Sequence, residues 1–365
     1  MTVNKDILFE KANRCGIVTL NRPKAVNALT YDMHASFTPH YKAWSEDIDI
    51  YCIVLRSADP RRFCAGGDLR AIYEWHKQGK VGTTLDHYGV EYRHNWALEK
   101  LKKPHISLID GVVMGGGVGV TFYGTHRVVG ENTRFAMPEV GVGYFPDIGA
   151  SYFLPRMPGE TGMYLALTGR AVGPADAFYL GFATHCIKAD KFDSILSELC
   201  EAEPVDELLY RHHEDPGEAE LARFRPTIDR IFAAESVEEI VEGLRAEQGE
   251  MAEWAHETAD EIGEKSPLSL KVAFRQVREG VELELEQVLR LEYRIARRFM
   301  EGDQFYEGIR AALIDKDRKP KWNPTSLVEV TPEMVDRYFV PLDRGELELI
   351  DPFGSKLGPF SEPLN

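Results

Sequence analysis

Apolar positions in the first half of the chain fall in short runs separated by turn residues. Residues 7–20 (ILFEKANRCGIVTL) and 51–57 (YCIVLRS) are rich in β-branched side chains and predict buried strands. "HISLIDGVVMGGG" begins as another strand and breaks into glycines, and "THRVVGENTRFAMPE" predicts two more. Helical spacing lies between them, over Tyr31 to Trp44 and Leu69 to Gln78. Strands alternating with helices predict an α/β fold. From about Ala189 the pattern becomes acidic and helical, punctuated at "EDPGE". Ser266 and Pro267 then mark a helix start, and Leu285, Val288, Leu289, Ala296 and Phe299 fall near helical spacing. The expected organisation is a core over residues 1–190 and a mostly helical region over 191–365 packed on it, with no long linker between.

Charge narrows the partners. Lys and Arg number 43 against 59 Asp and Glu, a net charge of −16. That balance argues against nucleic acid and anionic membranes as partners, but local cations could still hold a phosphate-bearing ligand. The five cysteines are scattered and form no CxxC pair, so neither a disulfide framework nor a structural metal is expected. The uncharged stretch from Gly111 to Thr125 is glycine-broken and falls short of the roughly 20 apolar residues a membrane helix needs. With no apolar signal core or Arg-rich leader pattern at the start, the expectation is a cytoplasmic protein.

Three stretches could carry chemistry. "RRFCAGGDLR" and "DGVVMGGGVGV" each place glycines between a strand and a helix, where backbone N–H groups can face a ligand. Neither matches a dinucleotide or P-loop fingerprint; alone, the first reads more readily as a tight turn that needs glycine, and the second equally well as close helix–strand packing. One N–H from each, converging, would make an oxyanion hole for an acyl oxygen. The third, "MPEVGVGYFPDIG", sets Glu139 and Asp147 in an apolar run. Burial there would raise their pKa values and suit acid–base or nucleophilic work, while a helix cap and a turn are the structural alternatives.

The four segments "LNRPKAVNALT", "FCAGGDLR", "GVVMGGGVGV" and "FAMPEVGVGYFPDIG" resemble, in order and spacing, the crotonase (enoyl-CoA hydratase/isomerase) superfamily. The resemblance implies a spiral of repeated ββα units, an acyl-CoA ligand and an oxyanion hole gripping the thioester carbonyl. It is strongest to a longer branch that hydrolyses a β-hydroxyacyl-CoA in valine breakdown, and extends through "SPLSLKVAFRQV", "LEYRIARRFM" and "FYEGIRAALIDKDRKPKWNP". By motif it assigns the oxyanion donors to Gly67 and Gly116, the catalytic carboxylate to Glu139, and orientation of the substrate hydroxyl to Asp147. Hydratases carry a second glutamate where this chain has Gly119. The resemblance lines the CoA arm with Arg22, Lys24, Ala25, Cys64, Ala65, Gly66 and Asp68, with Lys316 as a further phosphate contact. It implies no cofactor beyond the CoA of the substrate and no metal, and allows a homo-oligomer.

Overall fold

The computed structural model describes residues 5–354, so the outer ends of the two expected regions, 1–4 and 355–365, lie outside the described residues. Eight strands are described: β1 (Ile7–Ala12), β2 (Cys15–Leu20), β3 (Cys52–Ser57), β4 (His105–Ile109), β5 (Val112–Met114), β6 (His126–Val129), β7 (Arg134–Ala136) and β8 (His185–Cys186). β1 and β2 form an antiparallel hairpin where the sequence pattern gave one continuous run; Asn13, in the left-handed region at φ 47°, turns the chain. β3, β4, β6 and β8 add in parallel, giving the order β1-β2-β3-β4-β6-β8. β5 pairs with β7 in a second sheet, which single bridges at Leu29–Gly67 and Cys64–Val113 extend towards the N-terminal turns. Each turn of the chain thus gives one segment to each sheet before a helix, a wound α/β spiral.

Both faces of the main sheet are covered, which is why its strands lack polar alternation. On β3, Ile53 and Leu55 enter the large core. Cys52 and Val54, with Ile106, Leu108 and Val128, point to the opposite face and meet Leu199, Leu208 and Leu209. Those leucines come from the helices Phe192–Cys200 and Val205–His212.

Four early helices frame the site: α1 (Tyr31–Glu46), α2 (Leu69–Lys77), α3 (Val81–Lys100) and α4 (Gly116–Phe122). Thr30 and Asp68 cap α1 and α2 by accepting from the N–H groups of Met33 and Ala71, each at 3.2 Å. α3 is absent from the hydrophobic pattern for a physical reason. Its buried face carries His87, Glu91, His94 and Asn95, so polar residues sit where an apolar stripe would have announced it.

The later helices close over this frame. Ser266 caps the helix Pro267–Gly280, with Pro267 at its first position as expected. The helix Leu285–Glu301 buries Leu285, Val288, Leu289, Ile295 and Phe299 on one face, and in the middle of that stripe it also buries Glu292. Gly280 lies so close to the carbonyl of Ser151 that any Cβ there would collide with backbone. Gly280→Ala is therefore expected to destabilise the fold by about 1–3 kcal/mol, read as a lower thermal midpoint; an unchanged midpoint would mean this junction is looser than described.

Candidate active site

The two glycine loops converge. Cys64 anchors the first to the second sheet, its N–H donating to Val112 O at 2.8 Å while its carbonyl accepts from Met114 N at 3.1 Å. Gly66 and Gly115 adopt φ values of 95° and 47°, which only glycine takes without strain. A Cβ on Gly66 would lie 3.4 Å from Gly116 N, and one on Gly116 would lie 3.4 Å from Gly67 N. Neither Gly67 N–H nor Gly116 N–H donates to another group among the described residues. Two unused backbone donors thus sit side by side in a partly enclosed place, the arrangement that stabilises an acyl oxygen as it gains charge.

Both carboxylates of the third segment are buried beside these loops. Glu139 opens a 3₁₀ turn, Glu139–Val142, and is 8% exposed. Its Oε1 approaches Gly115, where a Cβ would be 3.0 Å away, and its Oε2 is buried with no hydrogen-bond partner among the described residues. Burial, and then the charge of Asp147, hold its pKa well above the usual carboxylate range. Asp147 accepts from the hydroxyls of Tyr92 at 2.8 Å and Tyr144 at 3.5 Å. Burial pushes its pKa to about 7, against the lowering effect of those hydrogen bonds.

The loop after Asp147 is strained and then clamped. Ile148 has φ 56°, unusual for a β-branched residue, and Gly149 follows at φ 87°. Tyr123 donates to Ile148 O at 2.8 Å. Glu292 accepts from Gly149 N at 2.5 Å and from both the N–H and the hydroxyl of Ser151 at 2.8 Å. Glu292 and the tyrosines Tyr92 and Tyr123 were not singled out from the sequence. For Glu292 a signal exists: a lone acid in an otherwise apolar helical stripe. Glu91 was missed too; it lies against Gly116, where any Cβ would strike its Oε1, and burial raises its pKa well above the ordinary value.

Other candidates divide into two sets. Arg22 donates to Ala28 O at 2.9 Å and pairs with Asp68 at 2.8 Å, and Ala65 N donates to Val26 O at 3.0 Å. These contacts tie the "NRPKA" segment to the "CAGGD" loop, with Ala25 half-buried and Cys64 buried beneath Ala65. Lys24 is exposed on the 3₁₀ turn Pro23–Ala25. Lys316 is exposed at φ 58°, just past the π-helical turn Arg310–Ile314, which Arg70 on α2 holds through Leu313 O at 2.8 Å. Gly119 faces the interior, where a Cβ would come within 2.8 Å of Asn95 Nδ2 and 3.2 Å of Ile148 Cβ. A side chain there would have to displace both of them.

The raised pKa of Asp147 fixes the sign of one pH effect. Folded, it titrates at about 7 rather than 3.8, so the folded protein holds a proton that the unfolded chain releases in that window. Its contribution to stability is full below the lower value and is lost as pH climbs through the upper one. Asp147→Asn is expected to flatten the fall in thermal midpoint over this range; an unchanged slope would show that Asp147 does not titrate there. Glu292→Ala is expected to cost about 1–3 kcal/mol for each backbone donor it strands, measured by denaturation; a cost near zero would remove its clamping role.

The chain is similar to known proteins over most of its length. A family model described as enoyl-CoA hydratase/isomerase matches residues 15–339. A curated relative from Danio rerio, "3-hydroxyisobutyryl-CoA hydrolase, mitochondrial", is 42% identical over 356 residues, covering 94% of this chain and 92% of the relative. The Homo sapiens protein of the same name is 39% identical over 358 residues, covering 94% and 91%. Among solved structures, a carnitinyl-CoA dehydratase from Mycobacterium thermoresistibile superposes with TM-score 0.89 at 40% identity, covering 94% of this chain and 99% of that one. An enoyl-CoA hydratase from Rhodobacter sphaeroides 2.4.1 gives TM-score 0.87 at 34% identity, covering 94% and 100%. The names of the curated relatives overturn the expected cytoplasmic location, since they are mitochondrial proteins. The scattered free thiols do not distinguish the two locations. The chain is a member of the enoyl-CoA hydratase/isomerase family.

Proposed function

We propose that the protein hydrolyses a β-hydroxyacyl-CoA thioester, 3-hydroxyisobutyryl-CoA or a close analogue, within valine breakdown. The observation that carries this reading is the pairing of two free N–H groups, on Gly67 and Gly116, beside the unpartnered Oε2 of Glu139. The names of the curated relatives support the same chemistry. The thioester oxygen would bind between the two N–H groups. Glu139 then attacks the carbonyl carbon, expelling the CoA thiolate to leave a mixed anhydride that water cleaves, or it takes the proton of a water that attacks instead. Asp147, steadied by Tyr92 and Tyr144, would accept from the substrate hydroxyl. The loop from Cys64 to Asp68 and the segment Arg22, Lys24 and Ala25 would line the CoA arm, with Lys316 near its phosphates.

The rival reading is hydration of an enoyl-CoA, which the names of the two solved relatives favour. Adding water across a double bond needs groups to manage both the oxygen and the α-carbon proton. At position 119 this chain has a glycine, which supplies no second acid, and Asn95 and Ile148 crowd any Cβ there.

One assay separates the two. The protein is incubated with 3-hydroxyisobutyryl-CoA and with crotonyl-CoA, following free thiol and enoyl absorbance separately. Thiol release that falls about a hundredfold or more in Glu139→Gln supports hydrolysis; enoyl loss without thiol release would overturn it. Asp147→Gly is expected to slow the hydroxyacyl substrate more than an acyl-CoA lacking the hydroxyl, and equal losses would remove its orienting role.

A further inference from the structure

Thioester hydrolysis consumes one water: its oxygen forms the new bond to the acyl carbon, the C–S bond breaks, and its hydrogens pass to the thiol and the acid. With the CoA arm along Arg22, Lys24 and the loop from Cys64 to Asp68, that water needs another way in. Glu91 lies against Gly116 and belongs to the reaction site. A row of buried polar side chains leads up to it along α3. Thr84, His87, Glu91 and Asn95 stand three or four residues apart and so share one helical face, and His34 faces them from α1. We infer that this row is the inlet by which water reaches the reaction centre, entering beside α2 and passing His87; the inference rests on the hydrolase reading.

Three observations carry this. The row is sealed and its polar atoms are unsatisfied. Thr84, His34, His87 and Asn95 are all buried. Thr84 Oγ1, both ring nitrogens of His34 and of His87, and both side-chain amide atoms of Asn95 have no hydrogen-bond partner among the described residues. Leaving such groups bare in an apolar interior is costly, and bridging water is what satisfies them in folded proteins. The spacing suits it. His34 Nε2 and Glu91 Oε1 are 3.4 Å apart, and a nitrogen of His87 joins a set with them whose members all lie within 4.8 Å of one another. Next, the row is open at one end and meets the chemistry at the other. A cavity of about 380 Å³, lined by Ala71, Trp75 and Asp86 among others, reaches His87. His87 Nε2 would lie 3.8 Å from a Cβ on Gly67, and Asn95 Nδ2 2.8 Å from one on Gly119, beside Ile148. Finally, the passage suits a neutral molecule. Asp32 and Asp86 line the cavity, as does Asp68, which Arg22 already pairs, and carboxylates there oppose the anions of this reaction, CoA and the released acid. Burial drives the pKa of His87 down to about 4 and that of His34 well below its ordinary value. At neutral pH each ring is therefore uncharged, with one donor and one acceptor to offer a water.

The test measures steady-state thiol release from 3-hydroxyisobutyryl-CoA by the full-length protein and by variants that plug the passage. His87→Phe puts an apolar ring in the row, and Ala71→Trp fills the outer cavity without touching the row. Each is expected to lower kcat about tenfold without raising KM. His87→Ala, which leaves the passage wider, is expected to keep kcat within about threefold of the wild type even as the thermal midpoint falls. A merely structural role for His87 predicts the opposite order, because the void left by alanine would harm the fold more than the ring of phenylalanine. That order, or a kcat unchanged in the folded plugged variants, overturns the inlet and leaves the hydrolase reading standing. No thiol release by the wild-type protein overturns both. Should His87→Phe fail to fold, Ala71→Trp gives the same reading from the cavity side. A high-resolution crystal structure supplies the second measurement: ordered waters on His87, His34 and Asn95 are expected, and a dry row overturns the inlet.

Discussion

The constraint on which the structure depends is the burial of four acids, Glu91, Glu139, Asp147 and Glu292, in one water-poor interior. Removing a carboxylate from water disfavours its charge, and each neighbouring acid adds to the effect. All four have raised pKa values with burial as the leading cause. The surrounding groups sort them into different states. Glu292 receives three hydrogen bonds and titrates near 8, Asp147 receives two tyrosine hydroxyls and titrates near 7, and Glu139 keeps an oxygen with no hydrogen-bond partner among the described residues. A buried acid left unsatisfied is costly, and Glu139 carries that cost beside the two free N–H groups of the glycine loops.

The helical second half of the chain belongs to this same problem. The strained turn at Ile148 holds its shape because helices from beyond residue 260 reach back to it. Glu292 holds the backbone at Gly149 and Ser151, and Gln276 donates to Pro146 O at 2.5 Å on the other side of Asp147. Asp147 is thus bracketed by two helices remote in sequence. That bracketing gives the helical second half a physical role, since a short acid on an unsupported loop could not keep a fixed position.

Relatives with different names share this scaffold, which is expected where fold and chemistry vary separately. What differs between readings comes down to a few side chains. Gly119 carries no acid, and Asp147 accepts from two tyrosine hydroxyls. Both features concern a small volume around Ile148, and the overall superposition is insensitive to them.

The short strands, the glycine loops, the start of the helix at Ser266 and the two acids at 139 and 147 were legible along the chain, because each is written in contiguous residues by turn chemistry or apolar runs. The family resemblance came from the same local motifs. α3 escaped because its inward face is polar, and with it escaped His87, Glu91 and Tyr92. Glu292 stood in plain sight as an acid in an apolar stripe, yet its partners are more than 140 residues away in sequence. Sequence determined which groups could react; the tertiary structure decided which of them would be stripped of water, partnered or left bare. That division is physical, because motif and periodicity are properties of neighbours along the chain, whereas burial and charge coupling depend on residues that only folding brings together.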